Sequence, residues 1–124
     1  MSGTDTKAVR ILLLEDEHAV RELARLILDH EGWEIVQAGS LTEAAECVRT
    51  KKRPFDLFIV DICLPDGFGT QLVEKMRQTG ADPMVIYMTG DPGWLRRLGA
   101  EGAALLQKPF TPLQLIQAVQ QALA

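Results

Sequence analysis

Apolar positions along the chain fall into two alternating patterns. Short runs rich in β-branched and large apolar residues occupy residues 9–14, 34–38, 55–60, 84–88 and 103–106. Each is shorter than an ordinary helix and reads as a strand. Between them, apolar residues recur at helical spacing. Val20, Leu23, Ala24 and Ile27 fall at i, i+3, i+4 and i+7, and Leu41, Ala44, Ala45 and Val48 repeat that register. A third helical stretch carries Leu72, Val73 and Met76, and the last carries Leu115, Ile116, Val119 and Leu123. The segment 92–98 allows at most about two turns at 3.6 residues each and has Gly93 near its start. Strict alternation predicts an α/β fold, a doubly wound, five-stranded parallel sheet with helices on both faces and right-handed crossovers.

The local punctuation agrees. Ser40 followed by Glu43 predicts a capping box, while Asp91-Pro92 and Thr111-Pro112 each place a capping oxygen before a proline at the first helical position. Gly32, Gly80 and Gly99 are the expected helix terminators. No repeat, low-complexity tract or linker interrupts the pattern, so residues 1–124 read as one domain with its core over about 9–123.

Charge and composition narrow the function. Thirteen Lys and Arg against 17 Asp and Glu leave a formal net charge of −4, and a chain without clustered cations is a poor ligand for phosphate backbones, so no nucleic-acid partner is expected. The apolar runs are far shorter than the ~20 residues of a membrane span, and residues 1–7 hold no secretory apolar segment, so no membrane partner is expected either. Cys47 and Cys63 match neither a disulfide framework nor a metal spacing, which fits a reducing cytoplasm.

Open parallel sheets bind ligands beyond the carboxyl ends of their strands. Here the first strand runs into Glu15, Asp16 and Glu17, the third into Asp61, the fourth into Thr89-Gly90 and the fifth into Lys108-Pro109. Taken singly, Glu15 to Glu17 read as a solvated helix start and Asp66-Gly67 as an ordinary turn. Asp61 differs, because a carboxylate after the apolar run 57–60 is costly to bury without a partner. Lys108 follows a buried strand and precedes a proline that fixes its loop, so its ammonium is the expected partner. The remaining carboxylates still repel one another, and a hard divalent cation held by oxygens relieves that; Mg²⁺ is the economical choice. A carboxylate beside Mg²⁺ and an ammonium suits nucleophilic attack on phosphorus, with the Thr89 hydroxyl and the Gly90 amide completing the cradle.

Five separated motifs then carry a resemblance: Leu14-Glu15-Asp16-Glu17, Asp61-Ile62-Cys63-Leu64-Pro65-Asp66-Gly67, Met88-Thr89-Gly90, Gly102-Ala103 and Lys108-Pro109-Phe110. In this order the chain resembles the receiver domain of bacterial two-component response regulators over nearly its whole length. The resemblance implies the flavodoxin-like strand order 2-1-3-4-5 and a phosphoacceptor at Asp61, supplied by a histidine kinase or a histidine phosphotransfer protein. It also implies Mg²⁺ held by Glu15, Asp16, Asp61 and the backbone carbonyl of Cys63, with the Cys63 thiol not needed as a ligand. Thr89 would contact the phosphoryl group, Lys108 would pair with it, and Pro109 would follow a cis bond. Such a protein catalyses its own phosphotransfer and dephosphorylation without being a conventional turnover enzyme. Cys63 and Asp91 would flank the path of the hydrolytic water. The readout would be a shifted surface around the fourth helix and fifth strand, offered to a downstream partner or a covalently linked output domain.

Two departures from the family pattern bear on that readout. Leu105 stands where the family often carries a Tyr or Phe, and the stretch from Thr89 to Lys108 is about one helical turn shorter than in common members. Signalling is therefore expected through residues 90–94, with Trp94 as the moving part; the plainer reading has Trp94 covering a short helix. Rival readings fit less well. A flavodoxin-like FMN binder would find its phosphate repelled by Glu15-Asp16-Glu17, and a phosphatase of the haloacid dehalogenase type would need an acid where Cys63 stands. The remaining alternative is a non-phosphorylated pseudo-receiver acting as a docking module, which would have no reason to bind Mg²⁺. His18 and His30 read as helix-surface residues.

Overall fold

Continuous burial along the central strands sets the architecture. The computed structural model describes residues 8–124; the polar opening 1–7, read above as lacking a secretory segment, lies outside the described residues. In chain order the strands are β1 (Arg10–Leu14), β2 (Glu34–Ala38), β3 (Leu57–Asp61), the short β4 (Cys63–Leu64) and β5 (Gly67–Phe68), β6 (Val85–Thr89) and β7 (Ala104–Gln107). The helices are α1 (His18–His30), α2 (Leu41–Thr50), α3 (Gly69–Gln78), α4 (Pro92–Ala100) and α5 (Pro112–Leu123). Five strands form one parallel sheet in the order β2-β1-β3-β6-β7, which is the expected order once the short pair is set aside. Strands β4 and β5 pair antiparallel, with Cys63 opposite Phe68.

Successive strand residues point to opposite faces, so each strand feeds two cores. Leu12, Leu14, Phe58, Val60 and Tyr87 meet Ala44 of α2, Leu72, Val73 and Met76 of α3 and Leu98 of α4. On the other face Ile11, Leu13, Ile59, Ile86 and Met88 meet Ala24 and Leu28 of α1 and Leu115 and Val119 of α5. Every residue of β3 is buried, as expected of a central parallel strand covered on both sides. No helix among the described residues is long and apolar enough to cross a membrane.

Several local expectations need correction. Helix α4 runs nine residues, longer than the two turns expected, because Asp91 caps it and Leu98 anchors it in the core. Gly99 therefore lies inside α4 rather than ending it, and the turn after the helix is made by Gly102 at φ +77°. The Ser40 hydroxyl accepts from the Glu43 amide as expected, but the Glu43 carboxylate reaches past Ser40 to the amide of Gly39. In α1 the inward stripe is rotated: Leu28 is fully buried, whereas Leu23 is 57% exposed. His18 and His30 lie exposed on α1, as read.

The amino ends of the strands are fastened together. Arg10 pairs with Glu34 at 3.4 Å and donates to the Arg53 carbonyl at 2.6 Å, while its own amide donates to Asp56 at 2.8 Å. Arg53 also pairs with Glu34, and the Arg10 guanidinium stacks 4.5 Å from the Phe55 ring.

Candidate functional site

The carboxyl ends of β1, β3, β6 and β7 bring the chemistry-bearing residues together. Asp61 is the last residue of β3 and Thr89 the last of β6; both are buried, as is Glu15 directly after β1. Lys108 follows β7, its ammonium paired with Glu15 and lying 3.3 Å from Asp61 Oδ2. The Lys108–Pro109 peptide is cis. A carboxylate oxygen from each of Glu15, Asp16 and Asp61 lies within 4.8 Å of the others.

Electrostatics at this cluster are unbalanced. Burial, and then the neighbouring Glu15, push the Asp61 carboxyl up to about 8, against the pull of the Lys108 ammonium. Burial alone would lower Lys108, but Glu15 and Asp61 outweigh it and raise its pKa. One ammonium thus faces three acids, two of them buried. The donor set suits a hard cation: all three side chains offer oxygen, and their spacing is compatible with an octahedral ion whose ligands sit at about 2.0–2.1 Å. Glu15, Asp16 and Asp61 are the side chains that would hold Mg²⁺.

The remaining expected residues line the rim. Cys63 opens the β4–β5 hairpin with its thiol exposed, and modest burial, with Asp61 and Asp91 nearby, raises that thiol's pKa. The raised value favours the neutral thiol in the metal-free protein. The Thr89 hydroxyl accepts from the Asp91 amide at 3.1 Å, and the Thr89 carbonyl accepts from the Lys108 amide at 2.9 Å. Gly90 keeps this junction narrow, since a Cβ there would stand 3.1 Å from the Lys108 carbonyl oxygen. Asp91 Oδ1 in turn accepts from the amides of Gly93 at 2.7 Å and Trp94 at 3.1 Å. The Trp94 ring rests on Phe68, centroids 5.4 Å apart, with the Arg97 guanidinium 4.9 Å above it.

Three supporting residues were not singled out for these roles from sequence. Asp66 is more than a turn residue, because its carboxylate accepts from the amides of Leu41 at 2.9 Å and Thr42 at 3.0 Å and from the Thr42 hydroxyl at 3.0 Å. It caps a helix 25 residues away and ties the acceptor hairpin to α2. Gly69 starts α3 against the acceptor strand; a Cβ there would stand 2.1 Å from the Asp61 carbonyl oxygen and 2.4 Å from Val60 Cγ1. Its only signal was a second glycine two positions after Gly67. Arg21 donates to the Glu15 carbonyl at 2.8 Å and so fixes the acidic turn from α1.

Three acids, an ammonium and a hydroxyl thus meet at the carboxyl ends of a doubly wound sheet, and comparison with known proteins gives the family. The family model for the response regulator receiver domain matches residues 11–120, and the chain belongs to that family. It is 33% identical over 116 residues to the regulatory protein VanR of Enterococcus faecium, covering 90% of this chain and 48% of VanR. It is 31% identical over 126 residues to the sensor kinase CckA of Brucella abortus, covering 99% of this chain and 13% of that kinase. Among solved structures, the receiver domain of the hybrid histidine kinase CckA superposes with a TM-score of 0.78 at 30% identity, covering 93% of this chain and 99% of that one. A CheY-like receiver from Methanospirillum hungatei gives 0.80 at 30% identity, covering 94% of each chain. The chain spans about half the length of VanR and a small part of the sensor kinase.

Proposed function

We propose that Asp61 accepts a phosphoryl group from the phosphohistidine of a histidine kinase or a histidine phosphotransfer protein, with Mg²⁺ as the required ion. The observation that carries this reading is the placement of buried Asp61 at a strand end, 3.3 Å from the Lys108 ammonium and within 4.8 Å of Glu15 and Asp16. An Asp61 oxygen attacks phosphorus, forming the O–P bond as the donor's P–N bond breaks and its electron pair returns to the imidazole nitrogen. Lys108 stabilises negative charge on the phosphoryl oxygens, and the Thr89 hydroxyl and Gly90 amide receive them from the opposite side. Glu15, Asp16, Asp61 and the Cys63 carbonyl would hold Mg²⁺, which would supply charge neutralisation. Cys63 and Asp91 stand at the mouth and govern access of hydrolytic water to the acyl phosphate.

An aspartyl phosphate adds about −2 charge and three acceptor oxygens, enough to draw the Thr89 hydroxyl towards Asp61. Thr89 would then give up the Asp91 amide, and the segment 90–94, with Trp94, would change the surface offered to a downstream partner or a covalently linked output domain. The complete set of acids, hydroxyl and ammonium supports phosphotransfer over a docking module of the same fold. The test is intact-mass measurement after incubation with Mg²⁺ and acetyl phosphate. A single alkali-labile phosphoryl adduct on the wild type and none on Asp61→Asn is the expected result; no adduct together with no Mg²⁺ binding overturns the reading.

A further inference from the structure

The β4–β5 hairpin that follows Asp61 pairs only two residues on each side, Cys63 with Phe68 and Leu64 with Gly67. So short a ladder is marginal by itself, and its place depends on what holds its two ends. The root is fixed to the acceptor strand, because the Gly69 amide donates to the Ile62 carbonyl at 2.7 Å. The tip, Pro65-Asp66, reaches another element. Asp66 Oδ1 accepts from the Leu41 amide, and Oδ2 accepts from the Thr42 amide and hydroxyl. One carboxylate thus takes up two first-turn donors that α2 cannot satisfy internally. Gly67 leaves no slack at this contact, since a Cβ there would stand 2.8 Å from Leu41 Cδ1.

The same loop leads in the other direction to the acids. The Ala38 carbonyl, three residues before Leu41, accepts from the Glu15 amide at 3.0 Å, and the Glu15 carbonyl accepts in turn from Arg21 at 2.8 Å. Residues 38–42 therefore join the strand end that bears Glu15 and Asp16 to the hairpin that bears Cys63. Cys63 lies between the hairpin's root and its tip, near enough to Asp61 and Asp16 for their charges to act on its thiol.

We propose that Asp66 is a positioning residue for the divalent cation: its grip on the first turn of α2 holds the Cys63 backbone in place relative to Glu15, Asp16 and Asp61 and so sets the affinity for Mg²⁺. The inference rests on the reading of that cluster as a Mg²⁺ site. Asp66 itself touches neither the ion nor a reacting atom. Mg²⁺ demands near-ideal octahedral geometry, so a hairpin freed at its tip loses affinity although every ligating group is still present. Ser40 supplies the contrast, because its hydroxyl caps the Glu43 amide within the same helix and makes no bond to the hairpin.

Calorimetric titration of the full chain with Mg²⁺, beside the carbon resonance of the Cys63 carbonyl, tests this. In the wild type that resonance is expected to move on saturation. Asp66→Ala is expected to weaken Mg²⁺ binding by on the order of tenfold, the low end of what losing a partner behind a metal ligand costs, and to shrink the carbonyl shift. Ser40→Ala removes a cap from the same helix and is expected to leave the affinity unchanged. Wild-type affinity in Asp66→Ala, or an equal loss in Ser40→Ala, overturns the proposal. Where Asp66→Ala does not fold, Asp66→Asn, which keeps one acceptor oxygen for the two amides, is read in its place, and wild-type affinity there is equally fatal. A wild type that binds Mg²⁺ with no movement at the Cys63 carbonyl also overturns it, while the phosphoacceptor reading stands on the separate mass measurement. With neither Mg²⁺ binding nor a phosphoryl adduct in the wild type, both fall together.

Discussion

The amide of Asp91 donates to the hydroxyl of Thr89 at 3.1 Å, so the side chain expected to meet a phosphoryl group is also what holds the start of α4. The hydroxyl accepts from Asp91 through a lone pair and donates its own O–H elsewhere, so it is a rotation of the side chain that breaks the contact with Asp91. Removing the hydroxyl by Thr89→Ala is expected to cost about 1 kcal/mol in urea unfolding, the size of one net hydrogen bond. The same change should speed amide exchange at Gly93, Trp94 and Leu95 in the first turn of α4. Exchange rates at those amides equal to wild type would sever the link between Thr89 and the helix.

Asp61 is held among like charges. Without Mg²⁺, burial and then Glu15 make the ionised form of Asp61 costly, and Asp61→Asn removes that cost while leaving the Glu15–Lys108 pair intact. The variant is expected to be more stable than the metal-free wild type, by on the order of 1–4 kcal/mol. Saturating Mg²⁺ should raise the wild-type urea midpoint and narrow that gap, because only the wild type keeps all three carboxylates. A Mg²⁺-independent midpoint for the wild type would count against the assigned ligand set.

Asp66 contributes a pH dependence opposite in sign to that of Asp61, whose carboxyl is raised. The amides of Leu41 and Thr42 and the Thr42 hydroxyl hold the Asp66 carboxyl below the usual carboxylate range. A depressed folded pKa contributes stability that is fully present above the unfolded value near 4 and is lost as pH falls through the lower folded value. The stability advantage of wild type over Asp66→Asn should therefore be largest above about pH 4 and shrink on further acidification. Denaturant titrations of both proteins across that range check this; a constant difference would show that the carboxylate charge contributes nothing.

Two glycines should respond oppositely to the same change. Gly69→Ala would drive a methyl into the Asp61 carbonyl and Val60, and a cost of about 3 kcal/mol or more is expected, together with weaker Mg²⁺ binding as β3 and α3 are forced apart. Gly99→Ala places its methyl 3.7 Å from Leu105 Cδ1, an ordinary contact inside α4, and should stabilise by about 0.5–1 kcal/mol. Thermal unfolding of the two variants beside wild type distinguishes the cases directly.

The main elements were legible because their signals are local. Runs such as Leu57 to Val60 admit little but a buried strand, and Glu15, Asp16, Asp61, Thr89 and Lys108 all stand where such strands end. What escaped depends on tertiary packing. Leu23 and Leu28 both satisfy a helical stripe, and only the docking of α1 on the sheet decides which turns inward. Two glycines made α4 look shorter than it is, whereas its Asp91 cap and the burial of Leu98 overrode that weak propensity. The β4–β5 pairing is too brief to carry any periodicity, and the reach of Asp66 to α2 spans 25 residues of chain that no window covers.

The Arg10–Glu34–Arg53 cluster lies at the opposite pole of the sheet from Asp61. Register between the strands is set by the parallel ladder, and these pairs add a side-chain tie at the pole where β1 and β2 begin. The cluster joins β1, β2 and the approach to β3 at the pole away from the acids, while β6 and β7, which lead to Thr89 and Lys108, are held by the sheet ladder instead. Cutting those ion pairs would leave the acids and the lysine in place, so stability and site chemistry can be altered separately at the two poles.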